Sequence, residues 1–309
     1  MNELKTEKLG MGWLPDYPDY RDFKEDHDEV SPRLQNLGQK DSVKAMVKKM
    51  GVSARARVRL SASVDLKGWC SPIENQSSIG SCTAHAGIGL VEYFEKRAFG
   101  RHIDASRRFL YKVTRNMLNQ TGDTGAFLRT TMGALVLFGV PPEEYWPYII
   151  PDFDKEPPAF CYAFAQNYQA ISYFRLDPPM TPRDVLLNRI KTYLASNVPS
   201  MFGFTVFSSI SQAATTGKIP YPAPGERVLG GHAVDAMGYD DNMKIKNTDR
   251  GGVETRGAFL IRNSWGEGWG NAGYGWLPYD YVLKNLAVDW WGLLKNEWVN
   301  TGLFKLETD

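Results

Sequence analysis

The spacing of apolar and polar positions changes character along this chain. Between Leu60 and about residue 180, apolar residues recur at helical intervals, and after Pro182 they gather into short β-rich runs. Over residues 82–97, Ile88, Val91 and Phe94 fall on one face while Glu92, Glu95 and Lys96 lie elsewhere, which predicts an amphipathic helix. Ile79-Gly80-Ser81 ahead of it offers a turn residue and a capping hydroxyl. Further helices are predicted over 106–118, over 127–138 with Gly139 as the stop, and over 183–195. Pro141-Pro142 and the stretch from Trp146 to Pro158 are predicted irregular. Runs at 200–207, 233–239, 258–262, 273–278 and 287–291, separated by Gly, Asn and Asp clusters, read as antiparallel strands. Helices first and strands afterwards predict an α+β protein with two segregated lobes.

Residues 1–59 have a different texture. The chain is acidic over 16–29 and basic over 40–59, a pattern that ordinarily marks a solvated segment. Asp41 or Ser42 is expected to cap a short helix ending at Met50-Gly51. Trp13, Leu14, Tyr17, Tyr20 and Phe23 are too apolar for a free tail, so that stretch is expected to pack on the main body. Arg129, Glu143-Glu144 and Asp240-Asp241 read as solvated charges.

Composition narrows the function classes. With 36 Lys+Arg against 35 Asp+Glu, the chain lacks the basic excess of a nucleic-acid binder. An apolar content of 43%, with 15 Tyr and 9 Trp, excludes a mostly disordered chain. No window approaches the roughly 18 apolar residues that span a bilayer, so no membrane partner is expected. Met1 to Gly10 lacks the apolar run of a Sec signal peptide, which points to a cytoplasmic protein or one exported by another route. The acidic cluster near Asp26 lacks the spacing of a calcium loop, and three cysteines are too few for a four-ligand zinc site; no metal or cofactor is expected. An odd cysteine count leaves at least one thiol unpaired, and whether Cys70 pairs with Cys161 stays open.

A thiol nucleophile must be held as thiolate, for which a helix N-terminus or an imidazolium serves. Cys82 stands where a helix begins. Placement alone is weak, since a lone cysteine is more often a small buried hydrophobe. Its neighbourhood is more specific. Gln76-Ser77-Ser78-Ile79-Gly80-Ser81-Cys82-Thr83-Ala84 puts a Gln six residues before the Cys and Gly-Ser directly before it. Gly230-Gly231-His232-Ala233-Val234 follows about 150 residues on. About 30 residues later comes Phe259-Leu260-Ile261-Arg262-Asn263-Ser264-Trp265-Gly266, then Trp269-Gly270 and Gly273-Tyr274.

Taken together, these three segments resemble the nucleophile, histidine and asparagine motifs of the papain-like cysteine peptidase family. The resemblance covers about 60–291 and implies a helical lobe, mainly 75–180, facing an antiparallel β-barrel-like lobe, mainly 181–309, across a cleft. It implies an endopeptidase in which Cys82 attacks a peptide carbonyl and His232 pairs with it and then protonates the leaving amine. Asn263 would orient the imidazole, Gln76 would donate to the oxyanion, and Trp265 would shield the Asn–His bond. The remaining histidines, His27, His85 and His102, read as structural or surface residues. Peptides or proteins are the expected partners.

Several positions depart from that pattern. Ile79 stands where secreted relatives carry a disulfide cysteine, and Thr83 where Trp is usual. The Gly-rich cleft wall is matched only by 122–127, leaving Gly125, Ala126, Phe127, Phe202, Phe204, Gly231 and Ala233 as cleft candidates. The usual helical propeptide signature is missing. Gly12-Trp13-Leu14-Pro15-Asp16 and Arg21-Asp22-Phe23 instead resemble the N-terminal extension of bacterial, xylellain-like members, so residues 1–59 are expected to lie on a catalytic domain spanning 60–309 and obstruct its cleft. Alternative readings are acyl transfer to an amine, as in a peptide ligase, and a non-catalytic binding module, which predicts loss of one of Cys82, His232, Asn263 or Gln76.

Overall fold

A computed structural model describes residues 9–52, 59–169 and 172–304; Arg55 and Arg57 of the basic run lie outside them. The chain forms α1 (Pro32–Asn36), α2 (Val43–Lys49) and β1 (Ser63–Asp65), then α3 (Cys82–Phe99), α4 (Arg107–Met117), α5 (Leu128–Phe138) and α6 (Ala159–Ala165). There follow β2 (Ser172–Arg175), α7 (Arg183–Ala195), β3 (Ser200–Phe207), β4 (Val228–Lys246), β5 (Glu254–Arg262), β6 (Tyr274–Pro278), α8 (Tyr279–Leu283), β7 (Ala287–Leu294) and α9 (Asn296–Asn300). The long helices start and stop near their expected positions because local chemistry sets their ends. Ser42 caps α2, accepting from the Ala45 N–H, and Ser106 caps α4, accepting from the Phe109 N–H. Gly100 and Gly139 close α3 and α5 at φ 72° and 74°.

The strands build one seven-stranded antiparallel sheet in the order β2-β7-β3-β4-β5-β6, with β1 added against β4. β4 and β5 run well past the expected 233–239 and 258–262, because Lys244, Ile245 and Lys246 pair with Arg256, Thr255 and Glu254 beyond the apolar stretch. Two sheet strands, β1 and β2, come from ahead of residue 181, so the chain crosses between helical and sheet regions more often than the helix-then-strand pattern suggests.

Helix α3 packs against α4 and α5 and also against β3 and β4. Every residue from Cys82 to Phe94 is buried, so α3 is a central helix and not a half-exposed one. Glu92, expected on a polar face, is fully buried and takes Arg107 at 3.0 Å and the Ser71 hydroxyl at 2.5 Å. Partnering permits that burial, because a lone interior charge is expensive.

The N-terminal segment docks at several points. The Phe23 carbonyl accepts from the Arg175 N–H, and Asn296 Oδ1 accepts from the N–H groups of Lys40 and Asp41. Arg129 is not a solvated charge: it grips Asp16 at 2.8 Å and Asp22 at 2.9 Å. Trp13 is buried and Phe23 packs on the core, as expected, whereas Tyr17 and Tyr20 stand in solvent at 89% and 87% exposure. Cys70, Cys82 and Cys161 are all free and buried. Among the described residues no cluster of three or more potential ligands could hold a metal, and no helix is long and apolar enough to cross a membrane.

Candidate active site

Cys82 is the first residue of α3. Ser81, the preceding residue, does not cap the helix with its side chain as expected; its hydroxyl lies 2.6 Å from the Tyr148 hydroxyl and 3.3 Å from His85 Nδ1. The first N–H groups of α3 are thereby left for the thiol, and those of Cys82 and Thr83 face it, together with the N–H groups of Gly12 and Ala233. Ala233 follows His232 on β4, so the thiol and the imidazole belong to one pocket at the junction of α3 and the sheet.

A relay of hydrogen bonds sets the protonation of that imidazole. The Ser264 N–H donates to Asn263 Oδ1 at 2.8 Å, which identifies that atom as the amide oxygen. His232 Nε2 lies 2.8 Å from the same oxygen and must therefore be the protonated nitrogen. Nδ1 keeps its lone pair and, among the described residues, has no hydrogen-bond partner. Trp265 stacks on the imidazole with centroids 4.4 Å apart, and Phe204 meets it edge-on from behind. Gln76 is fully buried beside the site; its Oε1 accepts from the Ser264 hydroxyl at 2.6 Å and its Nε2 donates to the Ile79 carbonyl.

Residues 60–285 match the sequence profile of the papain family cysteine proteases. The chain belongs to that family. This cysteine protease is 36% identical to an uncharacterised peptidase C1-like protein of Acanthamoeba polyphaga mimivirus, over 70% of this chain and 68% of that protein. It is 27% identical to cathepsin K of Gallus gallus, over 70% of this chain and 58% of that protein. Among solved structures it is similar to xylellain, a cysteine protease from Xylella fastidiosa, with TM-score 0.70 and 29% identity, covering 96% of this chain and 99% of that one. Bromelain from Ananas comosus, solved with the E64 inhibitor, shares the fold at TM-score 0.55 and 20% identity, covering 77% of this chain and all of its own.

In this papain-family protease the site is closed by its own N-terminal segment. Gly12 and Trp13 donate their N–H groups to the Gly231 carbonyl at 3.2 Å, and the Trp265 indole N–H donates to the Gly10 carbonyl at 2.9 Å. On the facing wall, the Ala126 N–H donates to the Gly12 carbonyl and the Ala126 carbonyl accepts from the Leu14 N–H. A β-carbon on Gly125 would lie 2.3 Å from the Gly12 oxygen, so only glycine admits the segment there. Cys82 and His232 are both fully inaccessible in this state. Dehydration pushes the Cys82 thiol up to about 11 and outweighs the four N–H groups that favour thiolate; it pushes His232 down to about 4 despite Asn263.

The sequence candidates separate accordingly. Cys82, His232, Asn263, Gln76 and Trp265 converge, and Gly125, Ala126, Gly231 and Ala233 line the occupied groove. Phe127 is half-buried at the start of α5 and gives its carbonyl to Thr131. Phe202 is fully buried and stacked on Trp290 at 3.8 Å. Alternation along β3 puts Phe202 and Phe204 on the face opposite Gly203, and Gly203 is the residue that meets the segment. His85 is a buried structural histidine, its Nδ1 3.0 Å from the Ser81 carbonyl.

Sequence reasoning missed three supports. Ser264 positions both Asn263 and Gln76. Tyr148 donates to the Gln76 carbonyl from a stretch marked only as irregular. Asp123 accepts from the Gly80 N–H and the Tyr111 hydroxyl, tying the turn before Cys82 to the groove wall. Of these only Ser264 had a local signal, its place beside Asn263.

Proposed function

We propose that this protein is a latent cysteine endopeptidase acting through Cys82, His232, Asn263 and Gln76. The observation that carries the reading is the relay from the Ser264 N–H through Asn263 to His232, which leaves an imidazole lone pair in the pocket of a thiol at a helix start. In the open enzyme the Cys82 proton passes to His232 Nδ1, and the thiolate attacks the peptide carbonyl. The C–N bond then breaks as the imidazolium returns that proton to the leaving amine. Water, deprotonated by the same nitrogen, releases the acyl group and regenerates the thiol. Gln76 Nε2 and the Cys82 N–H donate to the oxyanion of each tetrahedral intermediate.

Residues 9–14 make the enzyme latent in two ways. They fill the groove, and by drying the site they hold the pair neutral between about pH 4 and about pH 11, the two limits set by burial. An epoxide inhibitor such as the E64 bound to bromelain tests the assignment. After incubation with the full chain, mass spectrometry should find the adduct on Cys82. An adduct on Cys70 or Cys161, with Cys82 untouched, would overturn the mechanism.

The oxyanion role has its own test. Gln76→Glu keeps an acceptor for the Ser264 hydroxyl and removes the amide donor. Steady-state kinetics should show kcat lower by roughly 10²–10³-fold with KM little changed, the usual consequence of losing one such donor. An unaltered kcat would remove Gln76 from the mechanism.

A further inference from the structure

Each of the three elements that carry the proposed catalytic residues also buries a polar side chain with an unused hydrogen-bonding atom. On α3, His85 follows Cys82 by one helical turn. On β4, Asp235 lies just beyond His232, and Arg262 at the end of β5 directly precedes Asn263. All three side chains are more than nine-tenths buried. Among the described residues, His85 Nε2, Asp235 Oδ1 and Arg262 Nη1 have no hydrogen-bond partner. They line one cavity of about 10 Å³, together with Ala233, Asn263 and Ser264.

Each of the three atoms calls for a definite counterpart. The Ser81 carbonyl only accepts, so His85 Nδ1, 3.0 Å away, carries the proton and Nε2 presents a lone pair. Burial, with Arg107 nearby, pushes His85 down to about 3 and keeps the ring neutral. A carboxyl keeps an accepting oxygen in either protonation state, and Arg262 only donates. Asp235 and Arg262 are cross-strand partners, and Nη2 of Arg262 is held by the Pro72 carbonyl. A β-carbon on Gly89 of α3 would lie 2.5 Å from Asp235 Oδ2 and 3.2 Å from Arg262 Nη1, so the helix backbone presses on both groups. Nη1 nevertheless makes no bond to the carboxyl. Glu74 and Arg107, which also face the cavity, are paired with each other at 3.4 Å, and Arg107 is held by Glu92 at 3.0 Å.

The space suits a single small molecule the size of water. Its occupant must give two protons, to His85 and Asp235, and receive one from Arg262. A chloride ion would meet two acceptors, and a metal cation would meet the charge of Arg262. Water matches all three groups. We infer that His85, Asp235 and Arg262 bind one buried water, and that through it they act as positioning residues, tying the helix of Cys82 to the strands of His232 and Asn263. The consequence for catalysis rests on the peptidase reading; the water site does not. A misplacement of about 1 Å between reacting groups costs on the order of 10²-fold in rate, so such a tie bears on kcat and leaves KM nearly alone.

A crystal structure of the full chain at atomic resolution tests the site. It should show one water within hydrogen-bond distance of all three atoms. An ion in that place, or direct bonds among the three side chains, overturns the inference. Kinetics test the consequence, in full-length chains that also carry Trp13→Ala to open the groove. His85→Phe puts a C–H where the lone pair was; kcat should fall at least about tenfold, with KM changed less than about twofold. His85→Gln sets an accepting amide oxygen near the position of Nε2 and should hold kcat within about threefold of its parent. Equal losses in the two variants, or no loss in His85→Phe, overturn the positioning role. Should His85→Phe fail to fold, a kcat of His85→Gln more than about tenfold below its parent overturns it as well. A water in place with no chain cleaving peptide leaves the site standing and overturns the peptidase reading instead.

Discussion

Cys82→Ala should lower peptide hydrolysis by roughly 10⁴-fold or more while leaving the protein folded. In the proposed mechanism Cys82 forms the acyl-enzyme, and members of such a constellation fail together, so loss of the nucleophile removes the function of His232 and Asn263 as well. The side chain removed is small, and the N–H groups around it belong to the backbone of Cys82, Thr83, Gly12 and Ala233, which alanine retains. A quenched fluorescent peptide reports the rate, and circular dichroism reports the fold. Residual activity above a few per cent in a folded variant would mean that another residue carries the reaction.

Trp13→Ala should act in the opposite direction, raising kcat/KM of the full chain by at least about tenfold. The indole is 5% exposed, and truncating a buried Trp costs about 3–5 kcal/mol. Part of that loss falls on the docking of residues 9–14, and each 1.4 kcal/mol moves the closed–open equilibrium about tenfold. Opening the groove also readmits water. The cause that raises the Cys82 thiol to about 11 and lowers His232 to about 4 is burial in both cases, so hydration moves the thiol down and the imidazole up, toward the ion pair. Epoxide labelling of Cys82 near neutral pH should therefore accelerate in step with hydrolysis. Tyr17→Ala is the control, since that ring stands in solvent at 89% exposure and its loss should change neither rate. Equal kinetics for wild type and Trp13→Ala would show that the segment does not govern access.

Some of this was legible before any coordinates. The long helices were readable because period, caps and stop glycines are local signals, and Ser106 and Gly139 act as such signals lead one to expect. Cys82, His232 and Asn263 were readable because each sits in a short run of recognisable residues, although their convergence is a matter of fold. Helix α3 differs in one respect: Glu92 lies off the face of Ile88, Val91 and Phe94 yet is buried, and Arg107, Ser71 and the Ala105 N–H, brought in from other segments, make its burial tolerable.

Phe202 and Phe204 show the limit more sharply. Their strand was predicted with its bounds correct, yet a strand carries two faces, and the pairing of β3 with β4 and β7 decided that glycine, not phenylalanine, meets the groove. The hydrogen bond from the Trp13 indole to Asp289 was beyond reach altogether. It spans 276 positions and depends on a bulge in β7 that no residue pattern announces. The sequence by itself determined the helices, the strands and the chemical groups, because those depend on neighbours along the chain. The tertiary structure alone decided which face opens to substrate, which charge is buried and what closes the site, because those depend on segments the chain brings together only by folding.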